Sequence, residues 1–296
     1  MRRSLAALAL LPAFISAAAS AIIIRADVPE ARYRELGDQF KDTVVGFPWI
    51  RETGEVRPSM GTGTLVAPQW VLTAAHVATA VKPGHPDNPE RSPDLVSVAG
   101  KTYPVEEVFL HPDSGKGSTR PGADVALIKL ASPVKGGKPA CLYPARDEIG
   151  KITTVAGFGR TGTHLSGIEQ NDYVLRAATT RIRERPIPSW SLYERQGESF
   201  ATSFQAPSDP DVTPLEGSAA PGDSGGPAFL EYQGKLCVAG VTQGGGAPGM
   251  HRSSHPETAA AKAEAAGLGR KIHGGFVRVS SIRGWAMDVM AGKVAP

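Results

Sequence analysis

From Thr43 onward the apolar residues of this chain fall into short runs punctuated by glycine and proline, and that rhythm excludes most architectures. Thr43-Val44-Val45-Gly46-Phe47, Gly61-Thr62-Gly63-Thr64-Leu65-Val66, Trp70-Val71-Leu72-Thr73-Ala74 and Val105-Glu106-Glu107-Val108-Phe109-Leu110 each suit one strand. Branched and aromatic side chains pack well on a pleated surface, and alternation with period two gives such a strand one buried face. With 34 glycines and 25 prolines among 296 residues, turns are available between all of these runs. The pattern predicts an all-β protein, and its length suits one unit, since all-β folds often exceed roughly 200 residues.

The rest of the chain continues in kind. Val96-Ser97-Val98, the run Val125 to Leu130 headed by Asp124, the strand and glycine-aromatic-glycine turn Thr153 to Gly159, Leu175 to Ile182, Pro227 to Tyr232, Leu236 to Thr242 and Phe276 to Val279 are further predicted strands. Lys82 to Pro93 is a surface loop rich in Pro, Gly and Asp, and Lys135 to Tyr143 is a connection. Pro186 to Pro214 is polar and interrupted by prolines, a long loop with a helical piece around Trp190 to Arg195. Asp27 to Lys41 places Ala31, Tyr33, Leu36 and Phe40 in loose helical spacing and suits a peripheral wrapping segment. His251 to Gly274 contains an alanine-rich insertion that favours helix. Ser281 to Ala291 is a terminal helix with Ile282, Trp285 and Val289 on one face.

Three places carry chemistry. Ser224 lies in Gly222-Asp223-Ser224-Gly225-Gly226-Pro227, where glycines strip the surroundings of side chains and let a substrate approach. A serine hydroxyl is a weak nucleophile until a base takes its proton. His76, directly after the apolar strand ending Leu72-Thr73-Ala74-Ala75, is the candidate base, and Asp124 the candidate acid orienting it; Asp113 is the rival acid, in a Pro-Gly loop with no strand to fix it. Singly, each has a plainer explanation: a structural serine in a tight turn, a satisfied core histidine, a loop-capping aspartate.

The order His76, Asp124, Ser224, each inside its own local context, resembles the trypsin-like serine proteases in a bacterial-looking secreted form, from about Gly61 to Trp285. The resemblance implies a chymotrypsin-like fold of two six-stranded antiparallel barrels, about 43–135 and 150–280, with a C-terminal helix at about 281–291. It makes His76, Asp124 and Ser224 the catalytic triad and the N–H groups of Gly222 and Ser224 the oxyanion hole. It places Ser218 at the base of a specificity pocket walled by Gly244 and Gly274, with Glu216 as an acid that reaches the base if the loop is shifted. A serine base carries no charge, which implies apolar or broad P1 selection. It pairs the ammonium of Ile22 with Asp223; the alternative is that Ile22 merely starts an apolar strand, since the usual glycines after it are missing. It implies peptide or protein substrates and no cofactor. An inactive binding protein on the same scaffold, and an esterase using the same triad, remain open.

The first 21 residues resemble a secretory signal. Arg2 and Arg3 precede the apolar run Leu5 to Ile15, and Ala19-Ser20-Ala21 suits cleavage before Ile22, leaving 22–296 as the protease domain; a retained anchor is the alternative. Two arginines and no acid leave with the leader, so 32 basic against 29 acidic residues become 30 against 29. So balanced a charge does not suggest a nucleic-acid surface. The expectation is a secreted or periplasmic monomer that does not stay on the membrane. In an oxidising compartment the two cysteines, Cys141 and Cys237, form one disulfide, or remain as two buried thiols. The two cysteines are far apart in sequence, and no metal is expected.

Overall fold

The computed structural model of the chain describes residues 22–50, 56–57, 61–81, 95–114, 124–168, 172–183, 198–246 and 272–295. The leader, the helical piece around Trp190 to Arg195 and nearly all of the alanine-rich insertion lie outside them. The amino-terminal part begins with β1 (Ile22–Ile24) and α1 (Glu30–Asp38). Next come β2 (Val44–Gly46), the small pair β3 (Trp49–Ile50) and β4 (Val56–Arg57), β5 (Thr62–Ala67) and β6 (Trp70–Thr73). The helix α2 (Ala75–Ala80) precedes β7 (Leu95–Val98), β8 (Lys101–Leu110) and β9 (Ala126–Leu130). Six of these strands close on themselves in the order β2-β5-β6-β9-β8-β7, which leaves no free edge.

The second half contains β10 (Cys141–Leu142), β11 (Ile152–Gly157), β12 (Thr161–Thr163), β13 (Gly167–Ile168) and β14 (Arg176–Arg183). β15 (Ser199–Ser203), β16 (Gly217–Ser218), β17 (Pro227–Tyr232), β18 (Lys235–Gly246), β19 (His273–Arg278) and α3 (Val279–Met290) complete it. The main sheet runs β10-β18-β17-β11-β14-β15-β19, and β19 also pairs with β18. That extra pairing closes a second six-stranded barrel and leaves β10 added outside. The fold is thus the all-β double barrel with a C-terminal helix that the sequence predicts.

Alternation along the strands sorts the side chains into three cores. Val71, Ala126 and Ile128 face the interior of the first barrel. Val155, Ala178, Ala228 and Phe276 face that of the second. Their neighbours Leu72, Leu127, Ala156, Ala177, Phe229 and Val277 meet between the barrels, where Ile282, Ala286 and Val289 of α3 join them. Each fully buried Leu, Ile, Val or Phe contributes about 1.5–3 kcal/mol, so a strand buried on both faces joins the two barrels as firmly as it builds one.

Two elements differ from the sequence expectation, whereas the apolar strand start at Ile22 and the Cys141–Cys237 disulfide agree with it. β15 lies inside the stretch read as a loop: its polar residues hide a two-residue alternation that buries Phe200, while Thr202 and Ala201 are covered by neighbouring strands. α3 begins two residues before Ser281, and its innermost face is Val279, Ile282, Ala286 and Val289, with Trp285 half-buried edge-on against His111 at 4.9 Å. β1 is no loose end: it lies parallel to β12 and antiparallel to β16. Cys141 and Cys237 are register partners of β10 and β18 and form a disulfide, with Cα atoms 4.3 Å apart.

Candidate active site

Strand pairing sets the first two groups. β6 and β9 are antiparallel neighbours with Thr73 opposite Ala126. The end of one therefore lies beside the start of the other, bringing the first turn of α2 to the residues just before β9. The His76 backbone N–H donates to Asp124 Oδ1 at 3.0 Å, and His76 Nδ1 lies 2.7 Å from Asp124 Oδ2. An ionised carboxylate only accepts, so Nδ1 carries the proton and Nε2 is the basic nitrogen. The imidazole is half-exposed and the aspartate largely covered. Asp113 sits elsewhere, its N–H on His111 Nδ1 at 3.3 Å.

Ser224 belongs to the second barrel but is tied to the first. Its carbonyl accepts the N–H of Thr62 at 2.7 Å, and the Thr62 hydroxyl donates to the Gly222 carbonyl at 3.0 Å. The Thr62 carbonyl in turn accepts the Thr73 hydroxyl at 2.7 Å, three residues before His76. A short chain of bonds thus links the nucleophile turn to the strand that carries the base. A Cβ at Gly225 would lie 2.1 Å from Thr73 Oγ1 and 2.3 Å from the Thr62 carbonyl oxygen, and φ there is +82°. Only glycine fits that approach.

Within the turn the N–H groups divide. Those of Asp223, Gly225 and Gly226 donate to the carbonyls of Ala220, Thr242 and Asp223. Among the described residues no acceptor takes the N–H of Gly222 or Ser224. Gly222 has φ +97°, the left-handed conformation that reverses its peptide plane.

Asp223 is almost fully buried behind the turn. Its Oδ1 accepts the N–H of Gly159 and its Oδ2 that of Ala220, both at 2.8 Å. Burial pushes its carboxyl up to about 7, against the pull of N–H bonds from Ala220, Gly159 and Ile22 and of the charge on Arg176. Gly157 and Gly159 wrap it so closely that a Cβ at either would meet the carboxylate or its backbone within 3 Å. Ile22 therefore stands at Asp223 with its backbone nitrogen. Its φ of +68° is one that branched residues avoid.

Ser218 is fully buried opposite Ile23, and its hydroxyl finds no partner among the described residues. Gly244 faces open space, whereas a Cβ at Gly274 would meet Thr202 Oγ1 at 2.8 Å and the Phe276 ring at 3.0 Å. Glu216 is taken up by Thr180 and Thr213. Its Oε1 accepts the Thr180 hydroxyl at 2.9 Å, and its Oε2 accepts the Thr213 N–H and hydroxyl at 3.0 and 2.8 Å; burial raises its carboxyl. Among the described residues there is no cluster of His, Cys, Asp and Glu able to hold a metal, and no helix long and apolar enough to cross a membrane.

Sequence reasoning missed Thr62, Thr73 and Arg176. The first two act through bonds between segments and leave no local pattern; Arg176, a charge inside a strand, was the visible anomaly.

Double barrel and site together define the trypsin-like class. The trypsin family matches residues 43–264, and the chain belongs to that family. Among curated proteins it is 28% identical over 235 residues to melanization protease 1 of Drosophila melanogaster, covering 66% of this chain and 56% of that protein. It is 33% identical over 134 residues to complement C1s subcomponent of Sus scrofa, covering 40% of this chain and 19% of that one. It is 34% identical over 129 residues to haptoglobin of Canis lupus familiaris, covering 40% and 36%. The chain thus spans less than two thirds of the length of these relatives.

Proposed function

We propose that the chain is an exported serine endopeptidase acting as a monomer on peptide bonds of proteins, with Ser224, His76 and Asp124 as its triad. The observation that carries this reading is the 2.7 Å contact between His76 Nδ1 and Asp124, just past β6, which is bonded through Thr73 and Thr62 to the Ser224 turn. Nε2 of His76 takes the Ser224 proton as Oγ attacks the acyl carbon. The oxyanion settles on the N–H groups of Gly222 and Ser224, each such donor being worth about 10²–10³-fold in rate. His76 then protonates the leaving amine as the C–N bond breaks. Water, deprotonated by the same imidazole, attacks the acyl carbon; the bond to Ser224 Oγ breaks, His76 returns the proton to Oγ, and Asp124 stabilises the imidazolium throughout.

In this reading the leader is cut before Ile22. That removes the peptide bond that defines the strained φ of Ile22, a conformation costing about 1–3 kcal/mol in a residue other than glycine. It also gives the buried Asp223 an ammonium in place of an amide. Ser218, Gly244 and Gly274 form the specificity pocket. An esterase and an inactive binding scaffold are the competing readings. Peptide turnover by the purified chain beginning at Ile22 separates them: the endopeptidase reading expects turnover that Ser224→Ala abolishes without unfolding, and equal turnover by both proteins would sink it.

A further inference from the structure

The segment that follows β1 is bolted to the back of the site. Arg176, at the start of β14, is fully buried. Its Nε lies 2.9 Å from Glu30 Oε1 at the start of α1, and one terminal nitrogen meets the same oxygen. The two terminal nitrogens also reach Asp172 Oδ1 and Oδ2, both at 3.0 Å, and one donates to the Val174 carbonyl at 2.8 Å. Arg176 stands in register with Gly157, whose α-carbon abuts the Asp223 carboxylate.

A second bolt lies one turn along the helix. Tyr33 is fully buried; its hydroxyl donates to the Glu216 carbonyl at 3.1 Å and accepts the Arg25 N–H at 3.3 Å. Arg25 directly follows β1, and Glu216 directly precedes β16, the strand antiparallel to β1. Gly37 closes the third contact, since a Cβ there would lie 2.7 Å from the Leu175 carbonyl oxygen.

We propose that α1 is a clamp that seats Ile22 at Asp223, with Arg176 and Tyr33 as its positioning residues. The inference rests on the reading of Ile22 as the mature terminus. A three-residue strand at a chain end frays unless something ties it down. The clamp orders β1 from behind, so little conformational freedom is left for the terminus to lose when it docks.

The test uses the whole mature chain beginning at Ile22, with Glu30→Gln and Tyr33→Phe as variants and Glu35→Gln, on the exposed side of the same helix, as control. Each clamp variant removes a hydrogen bond or its charge, so kcat should fall roughly tenfold with KM unchanged. The rate at which an N-hydroxysuccinimide ester acylates the Ile22 α-amino group should rise by a similar factor, with the control unchanged in both. The proposal is overturned if both variants keep wild-type kcat and amine protection. It is equally overturned if kcat falls while Ile22 stays as protected as in the wild type, which would make α1 merely structural. A wild-type amine as reactive as that of a free peptide would show instead that the terminus never docks, and would overturn the underlying reading together with the clamp.

Discussion

Asp223 concentrates the physics of this molecule in one side chain. It is buried, held by N–H donors and by the distant charge of Arg176, and its carboxyl stands near 7 while Ile22 contributes an amide. A carboxyl whose folded value lies above its ordinary 3.8 favours the folded state when protonated. That stability is fully present below about pH 4 and is lost as pH rises toward 7. A chain still carrying Ala21 should therefore show a melting temperature whose dependence on pH between 4 and 7 is flattened by Asp223→Asn, as calorimetry across that range can read. An identical slope in the two proteins would mean that another group dominates there. At this scale the pairing of His76 with Asp124 was legible in the sequence, because each stands in a distinct local pattern. Thr62 and Thr73 were not, because a hydroxyl bonded to a distant carbonyl leaves no trace in its neighbours.

Among elements, strands rich in branched residues were legible and polar ones were not. β15 escaped because serine and threonine surround Phe200, and burial there is supplied by β14 and β19 rather than announced by the strand's own composition. α1 was visible as a helix by spacing but not as a bolt, since its anchor Arg176 lies 146 residues away from Glu30. β10 is the opposite case, two residues with little pattern of their own, placed by Cys141 opposite Cys237. The bond spans 96 residues, and constraining so long a loop typically contributes about 2–4 kcal/mol. Intact mass of the protein recovered from an oxidising compartment should show both thiols oxidised, and Cys141→Ala should lower the denaturant midpoint while leaving KM unchanged. Two free thiols in that protein would contradict this account.

The whole molecule explains why the candidate site lies where it does. Leu72 and Leu127 of one barrel and Ala156, Phe229 and Val277 of the other share one apolar cluster, so the groups flanking it are fixed relative to each other although they belong to different barrels. His76 and Asp124 come from the first barrel and Ser224 from the second, and the Thr62 bonds close the remaining gap. The proposed selectivity belongs to the same scale. Ser218 carries no charge, and Glu216 is committed to Thr180 and Thr213. Burying an unpaired ammonium or guanidinium beside Ser218 would be unfavourable, whereas an apolar P1 side chain gains up to about 1.5–3 kcal/mol. Profiling with a peptide library should show cleavage after apolar or aromatic residues; cleavage confined to Arg and Lys would contradict the pocket assignment. The central claim is that Ser224 is an activated nucleophile, and a serine-directed phosphonate tests it most directly. Mass spectrometry of the labelled chain beginning at Ile22 should find one adduct per molecule on Ser224, absent in Ser224→Ala and greatly slowed in His76→Ala. A correctly processed, folded chain that stays unlabelled, or carries the adduct on another residue, would contradict it.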